Sequence, residues 1–400
     1  MILRRGFDII ERRLNGPRKR PERKHMEYRE MKMQAGTERP SLLGFGCMRF
    51  PKTPEGGIDE AEAARLIDTA IQNGVNYLDT AYPYHEGASE PFMGRLLKRY
   101  DRGSFYLATK LPMWLVKSLE DAKRLFEEQL DRLQVDYVDF YLLHGLNRER
   151  WETIRRLGLI AWAEGLQRSG RIRYLGFSFH DDYQVFEDIL TSRKWDFCQI
   201  QYNYMDRQVQ AGDRGYKLAE KLGTPVIVME PVKGGTLAAL PEDMAGMFER
   251  AAAGRSCASW AMRWVGSHPG VKVILSGMST EEQVEDNLAT FNRFEPLTDE
   301  ENQVVEGVAA ALRKRVNNGC TGCRYCMPCP FGVDIPQNFS IWNEGAMYGI
   351  PRQAKAAYRE NLNESARAGK CQKCGKCESA CPQNIAIRDD LERVEAELGA

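Results

Sequence analysis

The sequence predicts an α/β chain, a (β/α)8 barrel followed by a small, mainly helical domain. Three observations lead there. From about residue 41 to 297, short β-rich runs alternate with amphipathic helical stretches, eight of each. That count within 257 residues is the count and size of a TIM barrel, whereas a doubly wound sheet has fewer units and a Gly-rich first turn, absent here. Beyond residue 298 the β-rich runs stop, and eight of the eleven cysteines gather in two short runs.

Taken in order, the expected strands lie at 42–45, 77–80, 105–109, 137–143, 174–179, 197–202, 225–229 and 271–275. The helical patterns between them span 59–73, 89–100, 118–133, 148–168, 183–192, 214–222, 255–265 and 280–291. Gly74, Gly170 and Gly223 follow helix ends, where the left-handed C′ position prefers glycine. After the barrel, LTDEENQVVEGVAAALRKR at 297–315 reads as a capped helix, acidic in its first turn and basic in its last. Two further helices are expected around 337–343 and 353–361. The domain boundaries follow: a basic leader at 1–25, expected to be disordered, the barrel at 26–297, and a linker helix with a cysteine-rich domain at 298–400.

With 43% hydrophobic residues, 400 residues can bury a large core and fill two or three domains. No apolar run approaches the eighteen or more residues of a membrane span, so no membrane partner is expected. The formal charge is zero but uneven: residues 1–25 hold nine Lys/Arg against Asp8, Glu11 and Glu22. This leader lacks the apolar core of a secretory signal, and no aromatic or motif context makes it a nucleic-acid arm. We expect an unstructured tail or a translated segment upstream of Met26. Cys47, Cys198 and Cys257 sit alone in apolar surroundings, as small core residues do.

The cysteine runs are Cys320, Cys323, Cys326, Cys329 and Cys371, Cys374, Cys377, Cys381. The first reads C-x2-C-x2-C-x2-C-P and the second C-x2-C-x2-C-x3-C-P. Three thiolates at two-residue intervals wrap three corners of an iron–sulfur cube, and a more distant cysteine supplies the fourth. Zinc sites more often use two separated C-x2-C pairs, so the third cysteine in register and the closing Cys-Pro favour iron. We expect two [4Fe–4S] clusters and a reducing, cytoplasmic setting. In two-cluster ferredoxins the cysteine of each closing Cys-Pro serves the other cluster, which here pairs Cys381 with the first run and Cys329 with the second. The 41 residues between the runs are a long insert for a compact ferredoxin, so the module is expected to be ferredoxin-like but mainly helical.

Functional side chains of a TIM barrel sit at the C-terminal ends of its strands. Those ends offer Asp79, with Tyr84 five residues on, then Lys110 and His144. Together they suit proton donation. A tyrosine near pKa 10 donates poorly at neutral pH, and an adjacent ammonium eases the loss of its proton. Asp79 would hold the Lys110 ammonium, Tyr84 would protonate an oxygen, and His144 would orient it while hydride reaches carbon.

The barrel resembles the aldo/keto reductase family. The resemblance rests on DTAYPY at 79–84, FYLATK at 105–110, YLLH at 141–144 and GFS at 176–178. It continues through CQIQYN at 198–203, EPVKGG at 230–235 and SGMSTEEQVEDN at 276–287, in family order. It implies that Tyr84 is the general acid, that Asp79 and Lys110 tune it, and that His144 orients a small carbonyl substrate. It further implies an NAD(P)H cofactor whose carboxamide meets Ser178 and Gln199. The 230–236 loop, with Pro231, Val232 and Gly234, would follow the pyrophosphate, and Gly277, Gln283 and Asn287 would line the adenosine end. Three positions depart from the common pattern. Phe179 replaces an Asn that contacts the carboxamide, and Met229 replaces the aromatic residue that stacks on the nicotinamide. Gln283 stands where NADPH-preferring members place an Arg, the side chain best suited to a 2′-phosphate. The whole layout resembles the subfamily with a C-terminal 4Fe-4S ferredoxin-like domain, above all in CTGCRYCMPCPFGVDIP at 320–336.

The expected function is reduction of an aldehyde or ketone by NAD(P)H. A nicotinamide moves two electrons as hydride and each cube moves one, and the sequence shows no flavin fingerprint to mediate. The clusters are therefore open to roles in structure, redox sensing or electron transfer with a redox protein partner. The alternative is a ferredoxin-like electron-transfer protein whose barrel is a docking scaffold.

Overall fold

A computed structural model of the protein describes residues 25–399. The leader expected at 1–25 therefore lies outside the described residues, apart from its last position. A two-stranded hairpin, β1 (Met31–Met33) and β2 (Gly36–Glu38), opens the described chain. Eight parallel strands then close a barrel: β3 (Leu43–Gly46), β4 (Tyr77–Asp79), β5 (Tyr106–Leu111), β6 (Val138–Leu146), β7 (Ile172–Phe179), β8 (Phe197–Gln201), β9 (Val226–Met229) and β10 (Val271–Ser276). Each pairs with its neighbour in sequence, and β10 pairs back onto β3. The barrel interior is packed, as strands buried on both faces require, with Tyr77, Tyr106, Phe140, Tyr174 and Phe197 beside Ile227 and Val273. Gly44 makes room in it, since a Cβ there would lie 2.6 Å from Val273 Cγ1.

All eight expected strands are present. The hairpin went unforeseen; its Met31 joins the interior core, and Glu38 accepts hydrogen bonds from Tyr106 and Tyr174. The expected helices also form, several with side-chain caps that the sequence supplies. Ser118 and Asp121 make a reciprocal capping box, and Asp59, Asn147, Asp182 and Thr280 each accept from a first-turn N–H. One expectation needs correction. The single helix expected over 148–168 is two, Arg148–Leu157 and Leu159–Arg168, because Gly158 takes φ +64° and ends the first.

The described chain folds as two compact units, residues 25–234 with 258–298, and 235–257 with 299–399. The second unit is helical. Its helix Glu242–Ala251, which our reading left unassigned, packs on Asp299–Arg313. Helix Ile335–Tyr348 packs on both Pro351–Glu360 and Ile387–Leu398 around Phe339, Trp342 and Tyr358. The polar ends of two buried aromatics reach the last helix, Trp342 donating to Glu397 and Tyr358 to Glu395. No described helix is long and apolar enough to cross a membrane.

Candidate active site and cysteine clusters

Asp79 ends β4, Lys110 lies one residue from the end of β5, and His144 lies near the end of β6, so three consecutive strands aim these side chains at one end of the barrel. Lys110 Nζ is the hub. It donates to Asp79 Oδ1 at 2.5 Å, to the Thr80 carbonyl at 2.7 Å and to Tyr84 Oη at 3.3 Å. Lys110 and Asp79 are 1% and 2% exposed, so this ion pair is dry. Burial opposes the Lys110 charge, yet Asp79 and Tyr84 hold its pKa above the ordinary lysine value. Burial also raises the Asp79 carboxyl, against Lys110 and against Gln199, whose amide donates to Asp79 Oδ2 at 3.2 Å.

The expected lowering of Tyr84 by Lys110 is present but is outweighed: burial raises this phenol above its ordinary value. Tyr84 therefore keeps its proton at neutral pH. The His144 ring stands edge-on to Tyr84, 6.3 Å between centroids. Burial and then Lys110 push His144 well below the usual histidine pKa, so the ring is neutral. Its Nδ1 is buried without a hydrogen-bond partner. A bare lone pair is tolerated there better than a bare N–H, which favours the tautomer with the proton on Nε2.

Behind Lys110 lies a buried polar cluster that sequence reasoning missed. Gln129 Nε2 reaches Glu90 Oε1 at 2.8 Å, the Lys110 carbonyl at 3.0 Å and Thr109 Oγ1 at 3.1 Å, while Gln129 Oε1 accepts from Tyr141. It fixes the end of β5. On the other side, His85 and Glu86 directly after Tyr84 both adopt left-handed φ, 52° and 56°. His85 Nε2 accepts from the Phe50 N–H at 3.0 Å and the ring stacks on Phe50, which holds this strained turn in place.

The residues expected to contact the cofactor ring the same end of the barrel. Ser178 Oγ accepts from the Gly145 N–H at 2.7 Å, leaving its own O–H to donate elsewhere. Phe179 is fully buried against Phe186. Met229 ends β9, and Pro231, Val232 and Gly234 follow in a turn where Glu230, Lys233 and Gly234 all take positive φ. Lys233 is held by Asp206 at 3.1 Å. Gln283 Oε1 is occupied by the Ser279 N–H at 2.7 Å. Asn287 is 4% exposed and its amide donates to Ser276 Oγ. Arg49, absent from our sequence reading, joins two of these positions. A Cβ on Gly277 would lie 3.1 Å from the Arg49 Cβ, and one on Gly234 would lie 3.5 Å from Arg49 Nη2. Bare glycine backbone and an exposed guanidinium thus lie side by side, a donor set that suits the phosphates of a dinucleotide.

In the second unit the eight thiols, all free, rim two hollows. Cys320, Cys323, Cys326 and Cys381 line one. Cys329, Cys371, Cys374 and Cys377 line the other, and Cys326 lines both. Among the described residues no three His, Cys, Asp or Glu side chains gather as a single metal ion would need. Thiols alone around a hollow are the donor set of an iron–sulfur cube.

The sequence profile of the aldo/keto reductase family matches residues 42–310. The chain belongs to the aldo/keto reductase family. A 4Fe-4S dicluster domain profile matches residues 319–387 of this aldo/keto reductase. A solved aldo-keto reductase from Bacillus halodurans, in its holo form, is 30% identical, with a TM-score of 0.59 over 71% of this chain and 96% of that one. The uncharacterized oxidoreductase YqkF of Bacillus subtilis is 26% identical over 66% of this chain and 92% of its own length. The NADH-specific methylglyoxal reductase of Escherichia coli is 25% identical over 68% of this chain and 96% of its own. This aldo/keto reductase is thus an oxidoreductase with an iron–sulfur domain attached to its barrel.

Proposed function

We propose that the barrel reduces an aldehyde or ketone with NAD(P)H, and that Tyr84 donates the proton. The contact that carries this reading is Lys110 Nζ between Asp79 and Tyr84 Oη in a dry site. A bound nicotinamide supplies hydride to the carbonyl carbon. Tyr84 gives its proton to the carbonyl oxygen, and the Lys110 ammonium steadies the phenolate left behind. Asp79 keeps Lys110 charged and in place. Neutral His144 offers its Nε2–H to the same oxygen and orients it. Ser178 and Gln199 would hold the carboxamide, with Met229 at the nicotinamide. Pro231, Val232, Gly234 and Arg49 would hold the pyrophosphate, and Gly277, Gln283 and Asn287 the adenosine end. Use of NADH by the E. coli relative, and a Gln283 already engaged by its own loop, support a cofactor site tolerant of NADH.

For the second unit we propose two [4Fe–4S] clusters with crossed ligation. One takes Cys320, Cys323, Cys326 and Cys381, and the other takes Cys371, Cys374, Cys377 and Cys329. The membership of the two hollows supports this wiring. Cys323 and Cys374 are exposed, which supports access from solvent by a redox protein partner. Eight cysteines held as cluster thiolates would need a reducing home, which supports the cytoplasm. The test is consumption of NADH or NADPH by anaerobically purified protein given simple aldehydes. Stoichiometric turnover is expected. Redox-active clusters with no nicotinamide oxidation would instead favour the electron-transfer protein with a scaffold barrel.

A further inference from the structure

Arg150 breaks a local rule. It occupies the first turn of helix Arg148–Leu157, where the N-terminal partial positive charge favours acidic side chains. The helix already has its cap, since Asn147 accepts from the Arg150 N–H, so the guanidinium is not needed to start it. The side chain is partly buried, and among the described residues no carboxylate pairs with it. The nearby carboxylate of Asp181 is spent on the Arg148 and Asp182 N–H groups. An arginine held at the positive end of a helix, half out of water and without a counter-ion, lowers stability.

Its neighbours are the carbonyl-orienting machinery. Arg150 Nη1 donates to the carbonyl of Gly145, the residue after His144, at 2.5 Å. Its guanidinium lies 5.5 Å from the centroid of Trp114, and that ring lies 5.1 Å from His144. Trp114 is 42% exposed and Leu115, beside it, 40%. Burial first, then the charges of Lys110 and Arg150, depress His144. Asp79 is already paired with Lys110, and the Glu230 carboxylate acts on His180.

We infer that Arg150 binds the carboxylate of the substrate, and that the substrate class is the oxo acids, an aldehyde or ketone carrying a carboxylate with its body against Trp114 and Leu115. The guanidinium fork keeps one N–H on Gly145 and has others left to take a carboxylate. The carbonyl would then reach His144 and Tyr84 while the anion sits at Arg150. This rests on the proposed reductase reading and adds the substrate class to it.

The test compares acids with their neutral methyl esters on the intact, cluster-loaded protein: succinic semialdehyde and its ester, and para-carboxybenzaldehyde and its ester. In each pair the acid should have the higher kcat/KM. Arg150→Gln, which keeps a donor for the Gly145 carbonyl, should lower the acid-to-ester ratio about tenfold to hundredfold, the size of a hydrogen bond to a charged group. Arg150→Lys should restore part of it. Benzoate binding, followed by quenching of tryptophan fluorescence, should weaken by a similar factor in Arg150→Gln, whatever the turnover. Turnover with an acid-to-ester ratio that ignores residue 150 would overturn the inference and leave the reductase reading intact. No turnover of any carbonyl, with benzoate binding still dependent on Arg150, would overturn the reductase reading and keep the anion site.

Discussion

Lys110 Nζ lies 2.5 Å from Asp79 Oδ1, and both groups are almost wholly removed from water. Neither charge is tolerable there alone. Asp79→Asn keeps the shape and removes the counter-charge, so it should destabilise the barrel by about 3–5 kcal/mol, as breaking a buried ion pair does. Urea unfolding checks this, and a loss under about 1 kcal/mol would mean that the pair is not dry in solution.

The His144 ring sets a pH dependence. Its folded pKa is well below that of the unfolded chain, because burial and the Lys110 charge oppose protonation. Above about pH 6.5 both states are neutral and the site adds no pH dependence. Below that, the unfolded chain takes up a proton that the folded one refuses, so stability falls with pH until the folded pKa is reached. His144→Asn should therefore flatten the acid limb of the stability profile by up to one proton, about 1.4 kcal/mol per pH unit. Urea midpoints across that range should show it.

Cofactor choice follows from two engaged side chains. Gln283 is held by Ser279 and Lys233 by Asp206, so neither is poised for a 2′-phosphate. NADH and NADPH should bind within about a hundredfold of each other, and Gln283→Arg should favour NADPH by about tenfold, the lower end of a charge-assisted hydrogen bond. Fluorescence titration of the intact protein measures both, and NADPH binding more than a hundredfold tighter in the unaltered protein would refute the argument from Gln283.

The two cysteine runs share their hollows. Cys381, from the second run, lines the hollow of Cys320, Cys323 and Cys326. Iron analysis should give about eight atoms per chain for two cubes. Cys381→Ala should alter the magnetic-resonance spectrum of the cluster that Cys320→Ala also alters. If Cys381→Ala instead matches Cys374→Ala, crossing is refuted.

Much of this was legible in the sequence, for physical reasons. Buried parallel strands read as continuous apolar runs, and side chains at their C-terminal ends converge by topology, so Asp79, Tyr84, Lys110 and His144 could be grouped before any coordinates. Other features were written less plainly. Ile387, Leu391, Val394 and Leu398 carry a helical apolar stripe that our reading overlooked behind the cysteines. Gly158 lies inside a continuous amphipathic pattern, and only its left-handed φ reveals the break. Arg49, Gln129 and Arg150 matter through contacts distant in sequence or across a turn, which spacing alone does not encode. The net direction of the Tyr84 pKa was misjudged because burial, invisible in a one-dimensional string, exceeds the effect of the neighbouring ammonium.

The central proposal for the barrel site is that Tyr84 donates the proton in a carbonyl reduction. The single-turnover rate of Tyr84→Phe, with saturating NADH or NADPH and a simple aldehyde, probes it without intermediaries, beside the cofactor Kd of the same variant. We predict a near-normal Kd and a rate lower by about a hundredfold or more, the usual contribution of a general acid. An unchanged rate would contradict the assignment of Tyr84.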